Sequence, residues 1–77
     1  MTRFFFDTGQ DGRIQRDDDG LDMLSIEDAR RTALSALGDM ARDELRHGCR
    51  DLTIEVRDAQ GPILKASLFL EISQPRA

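Results

Sequence analysis

The stretch that decides the fold is SIEDARRTALSALGDMARDELRH, Ser25 to His47. Read at 100° per residue from Ile26, one side collects Ile26, Ala29, Ala33, Leu34, Ala36, Leu37, Met40, Ala41 and Leu45. Arg31, Ser35, Asp39, Arg42 and Arg46 fall opposite. An apolar stripe of that width predicts an amphipathic helix lying on a sheet. Ser25 is a good N-cap with Asp28 three residues on, and Glu27 and Asp28 put negative charge where the helix dipole favours it. Arg46 and His47 suit the opposite pole, and Gly48 suits a left-handed stop. About 22 residues at 1.5 Å each make a rod of roughly 33 Å. Arg30 and Glu44 interrupt the stripe, and both are expected to reach water along its edge.

Upstream, Arg3 to Thr8 is a run of β-formers whose period of two sends Phe4 and Phe6 one way and Arg3, Phe5 and Asp7 the other. Gly9 to Gly12 holds the hairpin dipeptide Asp11-Gly12, and Arg13 to Gln15 makes a short, polar return strand suited to an edge. The acidic loop Asp17-Asp18-Asp19-Gly20 follows, expected to be solvated, and Leu24 is placed to staple against Ala29. Downstream, Leu52 to Asp58 alternates with Leu52, Ile54 and Val56 inward. Ala59 to Pro62 is a turn, and Ile63 to Ser73 reads as the longest strand, with Leu64, Ala66, Leu68, Leu70 and Ile72 on one face.

The expectation is a single small α+β domain over 1–77 of order ββαββ. It comprises a hairpin at about 3–16, a helix at about 25–47, a hairpin at about 52–73 and a frayed tail at 74–77. Four mainly antiparallel strands carry one long helix on one face. Phe4, Phe6, Ile54, Val56, Leu68 and Leu70 pack against Ala33, Leu37 and Met40. Two strand orders fit. In 2-1-3-4 the sheet is fully antiparallel; in 2-1-4-3 the first and last strands run parallel in the centre. The apolar richness of the last strand favours the second.

Composition excludes more than it assigns. Seventy-seven residues lie near the lower limit for a domain that folds without staples, and the single cysteine allows no intrachain disulfide. Dimerisation is a common remedy for so small a core. Eleven basic against fifteen acidic residues give a net charge of −4, opposed to a chain built around phosphates. No 18-residue apolar run is present, and three phenylalanines fall short of a signal-peptide core, so the cytoplasm is the expected location.

Asp7, Gly9, Asp11, Gly12, Ile14 and Asp18 fit positions of a calcium loop, but Gly stands at position 3 and Asp at position 12, and the flanks read as strands. His47 and Cys49 supply only two of the four ligands that structural zinc takes, and Cys49 lacks an orienting third group as a nucleophile. Walker, GxGxxG and HExxH patterns do not occur. The expectation is therefore no enzyme, no catalytic residue, no metal and no cofactor.

Phe5-Phe6-Asp7, the acidic turn from Asp17 to Gly20, the alanine-spaced helix and Val56-Arg57-Asp58 followed by Gly61 resemble a family of short bacterial proteins that carries a domain-of-unknown-function label. The resemblance spans nearly the whole chain and implies one compact domain with no assigned activity. It carries over no site residues.

The functional expectation is a non-catalytic protein–protein interaction or dimerisation module. It would use the sheet face away from the helix, or an exposed edge strand. Phe5, Phe69, Arg3, Arg57 and Lys65 are the interface candidates, since aromatics and arginine are over-represented at such surfaces. The partner would be a second copy or another protein, with no membrane involved. The alternative is a nucleic-acid-linked, antitoxin-like regulator binding through Arg31, Arg42 and Arg46, diluted by the interleaved acids Asp39, Asp43 and Glu44.

Overall fold

The computed structural model describes residues 1–76; Ala77, at the end of the expected frayed tail, lies outside them. The fold is α+β, with one helix and an antiparallel sheet. The strands are β1 (Thr2–Gln10), β2 (Arg13–Gln15), β3 (Leu21–Met23), β4 (Asp51–Asp58) and β5 (Gly61–Phe69). The helix α1 (Ile26–Glu44) separates β3 from β4 and tightens into a 3₁₀ turn over Leu45–His47 before Gly48, at φ 91°, ends it. Ser25 caps it by accepting from the Asp28 amide at 3.2 Å.

Among the described residues five strands stand where four were expected. The addition is β3, which pairs with the start of β1 through Thr2–Met23, Arg3–Asp22 and Phe4–Leu21. β2 pairs with the other end of β1, from Thr8–Gln15 to Gln10–Arg13. Asp11 and Gly12 both take positive φ between β1 and β2, the geometry of a tight two-residue hairpin.

The sheet order is β2-β1-β4-β5 and every pairing is antiparallel, which replaces the favoured arrangement with a central parallel pair. The connection explains it. α1 brings the chain back towards the Gln10 end of β1, and only Gly48–Arg50 separate the 3₁₀ turn from β4. So short a link drops the chain into the slot beside β1. The Asp11 carboxylate fixes that landing by accepting from the Arg50 and Asp51 amides at 3.1 and 3.0 Å.

β5 ends at Phe69 rather than Ser73. β4 begins at Asp51, so beyond the bond from Leu70 N–H to Arg50 C=O there is no neighbour to continue the ladder.

The core is narrower than the stripe on α1 suggests. Phe4, Leu52, Ile54 and Val56 are buried beneath Ala29, Ala33 and Leu37, each large apolar side chain contributing roughly 1.5–3 kcal/mol. Phe6, Met40, Leu64 and Ala66 are partly buried at its margin. Leu68 is more exposed than expected, and Ile26, Leu34 and Leu24 are exposed. Leu24 thus makes no buried staple on Ala29; Met23, on β3, is the neighbouring residue that packs against the core. Strict alternation with Leu64 would set Ile63 on the far face, away from α1. A bulge between Val56 and Arg57 inserts it as an extra residue on β5 and turns it to the core.

Candidate interaction surfaces

The face away from α1 carries a connected charged network. Asp7, on β1, is buried there. Arg57 reaches it from β4, with Nε donating to Oδ2 at 2.8 Å and Nη2 to Oδ1 at 3.4 Å. Only 15% of the Arg57 side chain and 11% of the Asp7 side chain are exposed. The guanidinium also covers the Phe5 ring, 4.5 Å from its centroid, and donates to the Asp17 carbonyl at 2.7 Å.

Asp17 accounts for the course of the acidic loop. β2 pairs with β1 from Thr8 onward and β3 only as far as Phe4, so the Phe6 amide falls in the gap between them. Asp17 Oδ2 accepts from it at 3.0 Å, taking the place of a strand neighbour. Its Oδ1 accepts from the Asp19 and Gly20 amides at 3.0 and 3.1 Å, and its own amide donates to Asp7 Oδ1 at 2.8 Å. Arg3 closes the loop by donating to Asp22 and to the Asp19 carbonyl. The stretch expected to be solvated is therefore folded onto β1 at Asp17, with Asp18 and Asp19 exposed.

The electrostatics keep these carboxylates charged. Burial pushes Asp7 upward, but Arg57 and the Asp17 amide outweigh it and hold its pKa below the ordinary value. Asp17 is lowered chiefly by the Phe6 and Gly20 amides, and Asp11 by those of Arg50 and Asp51. Ionised acids whose oxygens are already taken up by fixed donors are suited to holding strands and loops together, not to exchanging protons at neutral pH. Cys49 is buried, its thiol raised by that burial and directed at the Asp51 carbonyl 3.7 Å away. His47 beside it in sequence is exposed.

The interface candidates are thus divided. Arg3, Phe5 and Arg57 belong to the network at one end of the sheet. Phe69, 65% exposed, lies opposite Asp51. That is six residues along β4 from Arg57, about 20 Å at strand spacing. Lys65 stands between, opposite Glu55, on the rim of a depression of about 400 Å³ lined by Asp7, Ile14, Arg16, Thr53, Glu55 and Lys65.

On the helix, Arg31 pairs with Asp28 at 2.8 Å and Arg42 with Asp39 at 3.2 Å, while Arg46 sits exposed in the 3₁₀ turn. Arg30 likewise pairs with Glu27, at 3.4 Å.

A second surface was legible only in part: the outer edge of β5. β5 is the last strand of the sheet order, so its outer backbone faces no other strand among the described residues. Beside it runs a groove of about 360 Å³ between β5 and α1, lined by Arg30, Leu34, Leu37, Leu64, Ala66 and neighbouring residues. Leu34 is 50% exposed along it, and Leu68 and Phe69 are exposed further along β5.

Residues 3–69 match a family described as Domain of unknown function (DUF6894). The chain belongs to that family. None of the curated proteins and none of the solved structures compared with it matches. The DUF6894 match runs from Arg3, in the charged network, to Phe69, the last residue of β5. It thus takes in both surfaces of the domain. No helix of the DUF6894 domain is long and apolar enough to cross a membrane.

Proposed function

We propose that this domain is a non-catalytic protein–protein interaction module of the cytoplasm that docks its partner along the outer edge of β5. The observation that carries the reading is the unequal treatment of the two sheet edges. The β2–β3 edge is made of two three-residue strands, with Arg13 on β2 and Arg16 and the acidic loop between them. Shortness and charge are the usual protection of a strand edge. β5 offers nine residues with a single charge, Lys65, and exposed leucine and phenylalanine alongside. An extended segment added there gains main-chain hydrogen bonds, and its apolar side chains find the groove beside α1. The far face is less suited to docking, because Arg57 and Phe5 already cover each other there.

Ser67→Pro removes one backbone donor from the edge. Proteins recovered with the wild-type domain should be lost with this variant while the helical signal persists. Identical recovery from both would count against β5 as the docking element. The nucleic-acid alternative is weaker, because Arg31 and Arg42 are each paired with an acid one helical turn away.

A further inference from the structure

We propose that the β5 edge pairs with a second copy of this chain, antiparallel and centred on Ala66, so that two sheets join across a two-fold axis. The proposal rests on the interaction reading above and names its partner and register.

Three observations lead to it. The first is which backbone groups face outward. Leu70 N–H donates to the Arg50 carbonyl, so the Arg50–Leu70 position is of the hydrogen-bonded kind. Such pairs recur every second residue in an antiparallel ladder. Leu68, Ala66 and Leu64, opposite Leu52, Ile54 and Val56, therefore turn their amides and carbonyls towards β4. Lys65, Ser67 and Phe69 turn theirs outward. Two copies can bond only if outward residues meet outward residues, which restricts the centre of symmetry to a residue and excludes positions between residues.

The second is the sequence of the edge. From Leu64 to Leu68 it reads Leu-Lys-Ala-Ser-Leu, the same pattern of large apolar, polar, small, polar and large apolar from either end. Centred on Ala66, Leu64 lies against the partner's Leu68 on the helix side, and Lys65 against the partner's Ser67 on the far side. Ala66 meets its own copy on the axis, where a small side chain lets the backbones close. Centring on Lys65 sets two ammonium groups against each other, which is destabilising. Centring on Ser67 sets Lys65 against Phe69 and Ala66 against Leu68. Only the Ala66 register matches like with like and leaves Lys65 facing a hydroxyl, with Glu55 beside it in its own chain.

The third is the neighbourhood. A two-fold axis normal to the sheet places both helices on the same side. Leu34 of each copy, half exposed over its groove, then lines a shared trough above the joined strands. Five paired residues and these leucines form an interface at the small end of the range, below about 1,200 Å² in total, so the dimer is concentration-dependent.

The test is oxidative cross-linking of full-length chains, beside light scattering across a wide concentration range. Ala66→Cys should form a disulfide-linked dimer about tenfold faster than Lys65→Cys alone, because residues on the axis approach within disulfide reach. As an independent check at exposed positions, a mixture of Lys65→Cys and Ser67→Cys chains should cross-link to each other faster than either does alone. Circular dichroism of each variant establishes that it is folded.

A dimer that forms without these cross-links, or with Lys65→Cys fastest, overturns the register. A strict monomer at every concentration overturns self-pairing altogether. Neither result removes the interaction reading, which fails only if Ser67→Pro leaves partner recovery unchanged.

Discussion

Replacing Asp7 by asparagine is the sharpest probe of how the domain is held together. Asparagine keeps the shape, and its carbonyl can still accept the Asp17 amide. It removes the charge facing Arg57 and turns an NH₂ group towards a guanidinium. One strong charge-assisted bond at 2.8 Å and one marginal contact at 3.4 Å are lost. A hydrogen bond to a charged group is worth about 1.5–3 kcal/mol, and breaking a fully buried ion pair costs roughly 3–5 kcal/mol. Arg57 keeps some access to water and its bond to the Asp17 carbonyl, so about 2–3 kcal/mol is expected at pH 7. A 77-residue domain has on the order of 4–12 kcal/mol in all. Urea titration followed by helical circular dichroism should therefore show the midpoint falling by roughly 2 M at a slope near 1 kcal/mol/M.

The pH dependence gives a second readout. The Asp7 pKa is lowered on folding, so its contribution is fully present above the unfolded value of about 4 and is lost as pH falls through the folded value. The gap between wild type and Asp7→Asn should be widest near neutrality and close in acid. In a cycle with Arg57→Met the double variant should cost less than the two single changes together. A loss below about 0.5 kcal/mol at pH 7, the level of an ordinary surface substitution, would refute the pair's structural role.

Gly20 has φ 74°, and a Cβ there would lie 2.9 Å from the Phe4 carbonyl and from the Phe5 ring. Gly20→Ala should cost about 2 kcal/mol or more in the same titration, from left-handed strain plus the displaced strand. Asp17→Ala leaves the Phe6, Asp19 and Gly20 amides without their acceptor. Hydrogen exchange at Phe6 should accelerate markedly while exchange in β4 changes only with global stability. The Cys49 thiol, buried and raised in pKa, should react with a disulfide reagent at a rate limited by unfolding, so urea should speed it steeply.

What the sequence disclosed follows from periodicity. A stripe repeating every three or four residues and two strands alternating in twos are local signals, so α1, β1 and β4 were legible with their inward faces. Asp11-Gly12 carries its turn type in its own residue preferences. The remainder depended on contacts between distant residues. β3 is three residues long and polar in the middle, and only its pairing with Thr2–Phe4 makes it a strand. The strand order rested on how little chain is left after Gly48. Ile63 alternates correctly on paper, yet a bulge inverts it. Asp17 looked like its two neighbours in an acidic run; its role appears only when the unpaired Phe6 amide lies in front of it. The apolar richness of β5 predicts a central strand, whereas the sheet leaves it at an edge.

The placement of charge also makes a prediction about salt. Arg57, Asp7 and Asp17 bind one another on the far face, and Arg3 holds Asp22; the helix arginines Arg30, Arg31 and Arg42 pair within the helix. The acids outnumber the bases, and each chain carries a net −4. Two copies meeting at β5 associate through backbone bonds and leucine contacts, which salt hardly touches, against a repulsion between like-charged bodies that salt screens over a Debye length of about 10 Å at 0.1 M. Raising the salt from low to moderate should therefore tighten the dimer, seen as a higher mass by light scattering at fixed protein concentration. Binding through phosphates would run the other way, falling by orders of magnitude over the same range as counterions compete. A dimer that dissociates in salt would mean that ion pairs across the interface, rather than the backbone bonds of the β5 edge, hold it together.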